Sequence, residues 1–147
     1  MKQTIKEFLG FLEERFGIQK SAFSGFSFYE GPDKIYIFSS EIPSKDLAGF
    51  RIVQTGIVGG RIFGDKERFK PTTNLLQIFG KFATRNIVRL KESEKEDFIR
   101  GLDIDGEFEA EEGFVIVKFG EAILGCGLYS SGKLKNQIPK ARRLALR

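Results

Sequence analysis

The sequence of 147 residues contains no histidine, no tryptophan, one methionine and one cysteine. Without histidine, Ser-His-Asp and Cys-His catalytic arrangements cannot be built in their usual form, and imidazole ligands for a metal are missing. The single cysteine, Cys126, excludes a disulfide within the chain. It lies between two glycines in a strand-like segment, so we interpret it as a small buried hydrophobic residue rather than a nucleophile.

Membrane and export signals are also missing. No apolar run reaches the roughly 18 residues that a membrane-spanning helix needs. The N-terminal segment carries acidic residues in an amphipathic pattern, which is not typical of a signal peptide. We therefore expect a cytoplasmic protein without a membrane partner. The scarcity of Cys and Met beside abundant Lys and Glu is a compositional pattern seen in thermophilic proteins.

No cofactor-binding motif is complete in this sequence. No Gly-Lys pair is followed by the Ser or Thr of a phosphate-binding loop, and the glycine-rich stretch 56–64 lacks the strand, spaced glycines and helix of a dinucleotide site. Asp103 and Asp105 could bind a divalent cation, although exposed carboxylates of an acidic loop are the commoner explanation. We expect no cofactor, no metal and no catalytic residue, and therefore no enzyme.

The charges are separated along the chain. The net charge is only +4, but residues 94–112 hold nine acidic and two basic residues, whereas residues 122–147 hold no acidic residue at all. Such a separation predicts one electropositive pole, which favours a polyanionic partner, with nucleic acid as the leading candidate.

The first half of the chain predicts a small α+β unit over residues 1–84. Residues 4–16 have helical apolar spacing and end at Gly17. Residues 23–29 and 34–40 alternate as strands do, and residues 50–63 are also strand-like. We further predict a helical turn at 43–48 and a second helix that opens at Lys70-Pro71, with proline in its first turn.

The second half, residues 85–147, predicts a separate unit. A strand at 86–90 precedes a helix in which Ser93 is the expected N-cap and Glu96 its N3 partner. Two hydrophobic strands with glycine corners follow, and then the basic stretch GKLKNQIPKARR. This order fits a small β-barrel, so the predicted fold class is α+β with two units in contact.

Three motifs of the second half carry a resemblance. They are Arg100-Gly101-x-Asp103-Ile104, then Leu124-Gly125-x-Gly127, then the run from Lys133 to Lys140. Together they resemble the RNA-binding PUA-like domain that ends the Sun/Fmu-type rRNA cytosine-5 methyltransferases. The whole chain is similar to small ribosome-biogenesis proteins with a pre-PUA domain followed by a PUA domain.

The resemblance implies a non-catalytic RNA-binding protein, since the catalytic cysteines and cofactor domain of those methyltransferases are missing from these 147 residues. It implies structured rRNA or tRNA as the partner, in ribosome biogenesis or RNA modification, and ribosome-assembly or RNA-modification proteins as further partners. Lys and Arg side chains would bind phosphates, and amides would bind a ribose or a base edge.

The predicted RNA-binding residues form two groups. The main group is Lys133, Lys135, Asn136, Gln137, Lys140, Arg142, Arg143, Arg100 and Lys118, and the additional group is Arg61, Lys66, Arg68 and Lys70. Leu134 and Ile138 are the expected anchors of the basic stretch in the core. For Asn136, a buried amide that closes a turn is an equal alternative, and for the additional group solvated charges near a turn are an equal alternative.

A different class of function stays open beside RNA binding. The acidic residues 107–112 and the aromatic segment FSGFSFY could dock another assembly factor, which would make the chain a protein-interaction adaptor in an RNA-processing assembly. The two functions are compatible, because they would use different surfaces.

Overall fold

The structure, a computed structural model, describes residues 2–40, 56–64 and 68–143. Within these ranges the chain forms two β-sheets and three α-helices, which confirms the predicted α+β class. None of the helices in these ranges is both long and apolar enough to cross a membrane. The predicted helical turn at 43–48 lies outside the described residues, as do residues 50–55 of the predicted strand.

Helix α1, Gln3–Phe16, contributes five buried residues to the core of the first half of the chain. Its buried residues recur every three or four positions, as predicted for an amphipathic helix, and are Ile5, Phe8, Leu9, Leu12 and Phe16. The helix ends at Gly17, whose backbone has a φ of 74° and whose N–H donates to the carbonyl of Glu13. Glycine suits this position because a side chain would make the left-handed conformation unfavourable.

The first sheet has four antiparallel strands in the order β1-β2-β3-β4. The strands are β1 (Phe26–Glu30), β2 (Lys34–Ser39), β3 (Ile57–Ile62) and β4 (Phe69–Pro71). The predicted strand 23–29 therefore begins later, because residues Lys20–Phe23 form a 3₁₀ turn instead.

Helix α2, Thr73–Phe79, corrects the prediction that Pro71 opens a helix. Pro71 ends the edge strand β4, opposite Gly60, where its missing N–H costs little. Thr72 is the N-cap: its hydroxyl oxygen accepts a hydrogen bond from the Leu75 N–H and donates one to the Val58 carbonyl. A threonine supplies the acceptor that the first turn of a helix needs, and proline does not.

The second half of the chain forms a curled sheet in the order β5-β7-β8-β9-β6. Its strands are β5 (Ile87–Arg89), β6 (Ile104–Asp105), β7 (Gly113–Phe119), β8 (Ala122–Ser130) and β9 (Lys133–Asn136). The β5–β7 pair is parallel and the other pairs are antiparallel. The two hydrophobic strands predicted from the glycine corners are thereby confirmed.

Helix α3, Glu92–Ile99, begins earlier than the sequence predicts. Its N-cap is Lys91, and the Glu94 carboxylate accepts a hydrogen bond from the Lys91 N–H at 2.8 Å. The prediction of Ser93 and Glu96 as the capping pair is wrong by two residues. Because Leu90 is buried and its N–H binds the Lys118 carbonyl, the strand before the helix is held in place up to that point.

The curled sheet has an apolar core on each face. Phe114, Ile116 and Cys126 face the first half of the chain and belong to the same core as α1, β2 and α2. Val115 and Val117, which alternate with them, face a second core with Phe98 of α3. The first core therefore joins both halves, and the division at residues 84 and 85 stays a prediction.

We predict that Phe8→Ala lowers the free energy of unfolding by roughly 3–5 kcal/mol, because it removes a fully buried ring beside Phe69. Urea unfolding followed by circular dichroism should show one transition, since the core includes both halves. Phe82→Ala, at a ring that is 46% exposed, is the matched control. Two separate transitions, or equal losses for both variants, would contradict this account.

Candidate nucleic-acid interface

The basic stretch is an ordered part of the curled sheet over its described residues. Strand β9 alternates, so that Leu134 points into the second core while Lys133 and Lys135 are exposed. Ile138 is also buried in that core. Both apolar anchors predicted from the sequence are thereby confirmed, and they fix the direction of the charged side chains between them.

Asn136 lies inside the structure and binds the end of α3. Its side chain is buried, and its amide hydrogens are donated to the carbonyl oxygens of Phe98 at 2.6 Å and Leu102 at 3.1 Å. Its side-chain oxygen accepts a hydrogen bond from the Ile138 N–H at 2.9 Å, and its own N–H donates to the Asp103 carboxylate at 2.8 Å. Of the two alternatives for Asn136, the geometry therefore favours the buried amide over an RNA contact.

The two glycines of the Leu124-Gly125-x-Gly127 motif allow close packing. A Cβ atom at Gly125 would lie 2.9 Å from side-chain atoms of Ile138 and Thr73, and one at Gly127 would lie 2.6 Å from Leu134. A larger residue would push β8 away from the anchors of the basic stretch. The motifs that carry the resemblance therefore contact one another inside the domain. They specify the fold more than they provide contacts to RNA.

Exposed cations remain at the surface of this scaffold. We call Lys133, Lys135, Lys140 and Arg142 the basic rim, since all four are exposed and follow one another along β9 and the 3₁₀ turn Lys140–Arg142. Arg142 donates hydrogen bonds to the side chains of Asn74 and Gln77 on α2. Among the described residues, the side chains of Lys135 and Lys140 form no hydrogen bond or ion pair, so their charges are available to a ligand.

Acidic residues lie beside one end of the basic rim. Asp105 is paired with Lys133 across β6 and β9, and its carboxylate is 3.8 Å from the Lys133 ammonium. Glu112 accepts a hydrogen bond from the Ser131 N–H, and Glu107 accepts one from the Tyr129 hydroxyl. The charge separation along the sequence is therefore only partly a separation in space, and Lys135 and Lys140 are better placed to bind an anion than Lys133.

The other predicted residues of the main group are Arg100, Gln137, Arg143 and Lys118. Arg143 packs over Gly101 and donates to the Ile138 carbonyl, which brings it next to Arg100 at the end of α3. Gln137 is half-buried, and its N–H donates to the Cys126 carbonyl.

Lys118 stands apart from the basic rim. It is 8% exposed and pairs with Ile123 on β8, whereas Lys135 pairs with Leu128 on the same strand. The five-residue offset separates their backbones by roughly 16 Å along β8. The structure does not bring Lys118 together with the other predicted contacts.

The additional group is divided by the structure. Arg61 and Lys70 are directly opposite each other on β3 and β4. Arg68 is paired with Glu7 of α1 and lies over the Phe69 ring, whereas Lys66 lies outside the described residues. Lys34 of β2 is the register partner of Arg61. Lys34 is not among the residues predicted from the sequence, although its place in the alternating run of β2 gives it the same face as Tyr36.

Cys126 is fully buried, as interpreted from the sequence. Burial raises the pKa of its thiol to about 12, and the nearby Lys70 ammonium opposes that rise only in part. The thiol is therefore protonated at neutral pH and is not a nucleophile.

Comparison with known families supports the fold predicted for the second half of the chain. Residues 85–144 match the family model described as the methyltransferase RsmF PUA domain, which confirms a PUA-like domain at this end of the chain. Residues 1–47 match a family of unknown function, DUF7122. No curated protein gives a significant match to the chain. A PUA domain is an RNA-binding domain, so the match suggests RNA binding.

We predict that Asn136→Ala lowers the free energy of unfolding by about 1–3 kcal/mol, because it leaves buried carbonyl groups without their donors. Gln137→Ala removes a neighbouring amide that is half-buried, and it should change stability by less than about 0.5 kcal/mol. Urea unfolding of both variants measures the difference. If Asn136→Ala were as stable as the unmodified protein while losing RNA affinity, Asn136 would be a contact residue after all.

Proposed function

We propose that this protein binds structured rRNA or tRNA through the basic rim of its PUA-like domain, and that it acts without catalysis in ribosome biogenesis or RNA modification. The match of residues 85–144 to a PUA domain carries the proposal. The exposed Lys135 and Lys140 support it, because they stand on a rigid strand and turn without a competing partner among the described residues.

Rigidity is what makes these lysines suitable for binding. Leu134 and Ile138 anchor the backbone on both sides of Lys135, and Pro139 fixes the backbone before Lys140. The backbone therefore loses little conformational freedom when RNA binds. Structured RNA presents phosphates and 2′-hydroxyl groups over its surface, which Lys and Arg side chains on such a scaffold can bind without reading a base sequence.

Three observations support a role without catalysis. The sequence offers no histidine as a general base, and the thiol of Cys126 is buried and protonated at neutral pH. Asp103, considered above as a metal ligand, accepts a hydrogen bond from the Asn136 N–H, and Asp105 lies beside Lys133. Both carboxylates thus have a structural partner.

We predict that binding to a structured RNA weakens with salt, with a slope of log K against log[salt] of roughly −3 to −4 if about four phosphates are neutralised. The double variant Lys135→Ala/Lys140→Ala should flatten this slope by about 2, since two phosphate contacts are lost. Lys133→Ala alone should have a smaller effect, because Asp105 already offsets that charge.

Fluorescence anisotropy with a labelled RNA hairpin measures these slopes. Lys81→Ala/Lys91→Ala removes two exposed lysines outside the basic rim and is matched in net charge. The proposal fails if both double variants behave alike, or if the hairpin binds no better than to an unrelated protein of the same net charge.

A groove beside α1 favours the adaptor as a second candidate function. A cavity of about 350 Å³ between α1 and β1 is lined by Leu9, Phe23, Phe26 and Phe28, with Lys6 and Lys20 at its edges. Phe26 is 39% exposed there and adds apolar surface beside Phe23 and Phe28. This groove fits a peptide segment with apolar and acidic residues. It is a better docking surface than residues 107–112, because the carboxylates of Glu107 and Glu111 already accept hydrogen bonds within the protein.

If the adaptor function holds, Phe26→Asp should abolish recovery of a protein partner from nuclease-treated lysate, because the new charge repels acidic residues and cannot enter the groove. Phe82→Asp, at another exposed phenylalanine, should leave recovery intact. Hairpin affinity should be unchanged in both variants. Equal recovery with Phe26→Asp and with the unmodified protein would remove the groove from this role.

A further inference from the structure

The outer face of the first sheet carries aromatic and cationic side chains together. Within β2, Ile35 and Ile37 point into the first core, so Lys34 and Tyr36 point away from it. The strand register extends this face to both sides, because Tyr29 is opposite Tyr36. The face is thus on the opposite side of the sheet from α1 and its core.

Three cations form a row across this face. Lys34 is the partner of Arg61, and Arg61 is the partner of Lys70, so the row crosses β2, β3 and β4. We call these three residues the cation row. Neighbouring strands are about 4.8 Å apart, so the backbone positions of the row span roughly 10 Å.

Such a row is unfavourable by itself. Like charges directly opposite each other destabilise a pair of strands. Among the residues that the structure describes, the side chains of Lys34, Arg61 and Lys70 have no acidic partner and no hydrogen-bond acceptor. A bound polyanion would remove this repulsion, so the row is a suitable place for phosphate groups.

Two tyrosines lie next to the row. The ring centroids of Tyr29 and Tyr36 are 6.2 Å apart with 47° between the ring planes, and both residues are half-buried. Neither hydroxyl has a hydrogen-bond partner among the described residues. Aromatic rings on the face of a sheet are the surfaces on which unpaired bases stack.

We propose that this face binds a single-stranded segment of RNA, with bases stacked on Tyr29 and Tyr36 and phosphates at the cation row. The inference rests on the proposed RNA-binding function and adds a second site with a different form of RNA. A duplex does not fit, since its bases are already stacked on one another. An acidic peptide would use the cation row but would gain little from the tyrosines.

Strand β4 and helix α2 connect the cation row to the basic rim along the chain. Strand β4 leads directly into α2, where Asn74 and Gln77 bind Arg142 of the basic rim. In this proposal, an RNA with a helical part on the basic rim extends its unpaired strand past α2 and β4 to the outer face of the first sheet.

The test compares two labelled RNA probes by fluorescence anisotropy, a short oligouridine and a blunt duplex. Tyr29→Leu/Tyr36→Leu removes the rings, and Tyr29→Phe/Tyr36→Phe keeps the rings but removes the hydroxyls. Arg61→Gln/Lys70→Gln removes charge from the row at similar side-chain size, and it also tests the site if the leucine variant does not fold.

For oligouridine, the leucine variant should bind at least about fivefold more weakly than the unmodified protein, because stacking on each ring is lost. The phenylalanine variant should bind as the unmodified protein does. The glutamine variant should flatten the salt dependence for oligouridine by about 1–2 in slope. Duplex affinity should be unchanged in all three, since the basic rim is intact.

Three results would overturn the inference. Oligouridine binding that is equal in the unmodified protein, the leucine variant and the glutamine variant shows that the face does not bind single strands. Weakening by the glutamine variant alone shows a site for anions without base stacking. If neither probe binds to the unmodified protein, the proposed RNA-binding function itself fails.

Discussion

The hydrogen bonds of the Asn136 side chain hold the PUA-like half of the structure in its arrangement. They join the end of β9 to the end of α3 through the carbonyl groups of Phe98 and Leu102. An unsatisfied buried amide is costly, so the strand and the helix are fixed relative to each other. The exposed Lys135 and Lys140 lie on either side of this clamp, and their positions therefore depend on a residue that is itself buried.

This arrangement separates the residues that define the domain from those that would bind its ligand. The glycines at 125 and 127 and the amide at 136 allow or form close contacts inside the sheet. Lys133 and Lys135, which lie between these residues in the sequence, point outward and make no such close contacts inside the sheet. A family resemblance based on the inner residues therefore identifies the fold, whereas the affinity for a particular RNA depends on surface charges that the motifs do not fix.

The sequence predicted the elements whose patterns are local. Helix α1 and strands β7 and β8 agree with their apolar periodicity, because each is determined by neighbouring residues. Pairing between distant strands could not be predicted, and it places Asp105 beside Lys133 and Lys34 beside Arg61. The acidic segment is distant from Lys133 in the chain. Because the pairing of β6 with β9 could not be predicted, the sequence placed this segment on another surface.

In the proposed function, the scaffold around Asn136 presents Lys135 and Lys140 to RNA. Ultraviolet crosslinking of the protein to its RNA in cells, followed by mass spectrometry of the crosslinked peptides, tests it most directly, and sequencing of the RNA identifies the partner. We expect crosslinked nucleotides on peptides from residues 128–143. Crosslinks that occur only elsewhere in the chain, or none above the level of an equally basic control protein, would contradict the account.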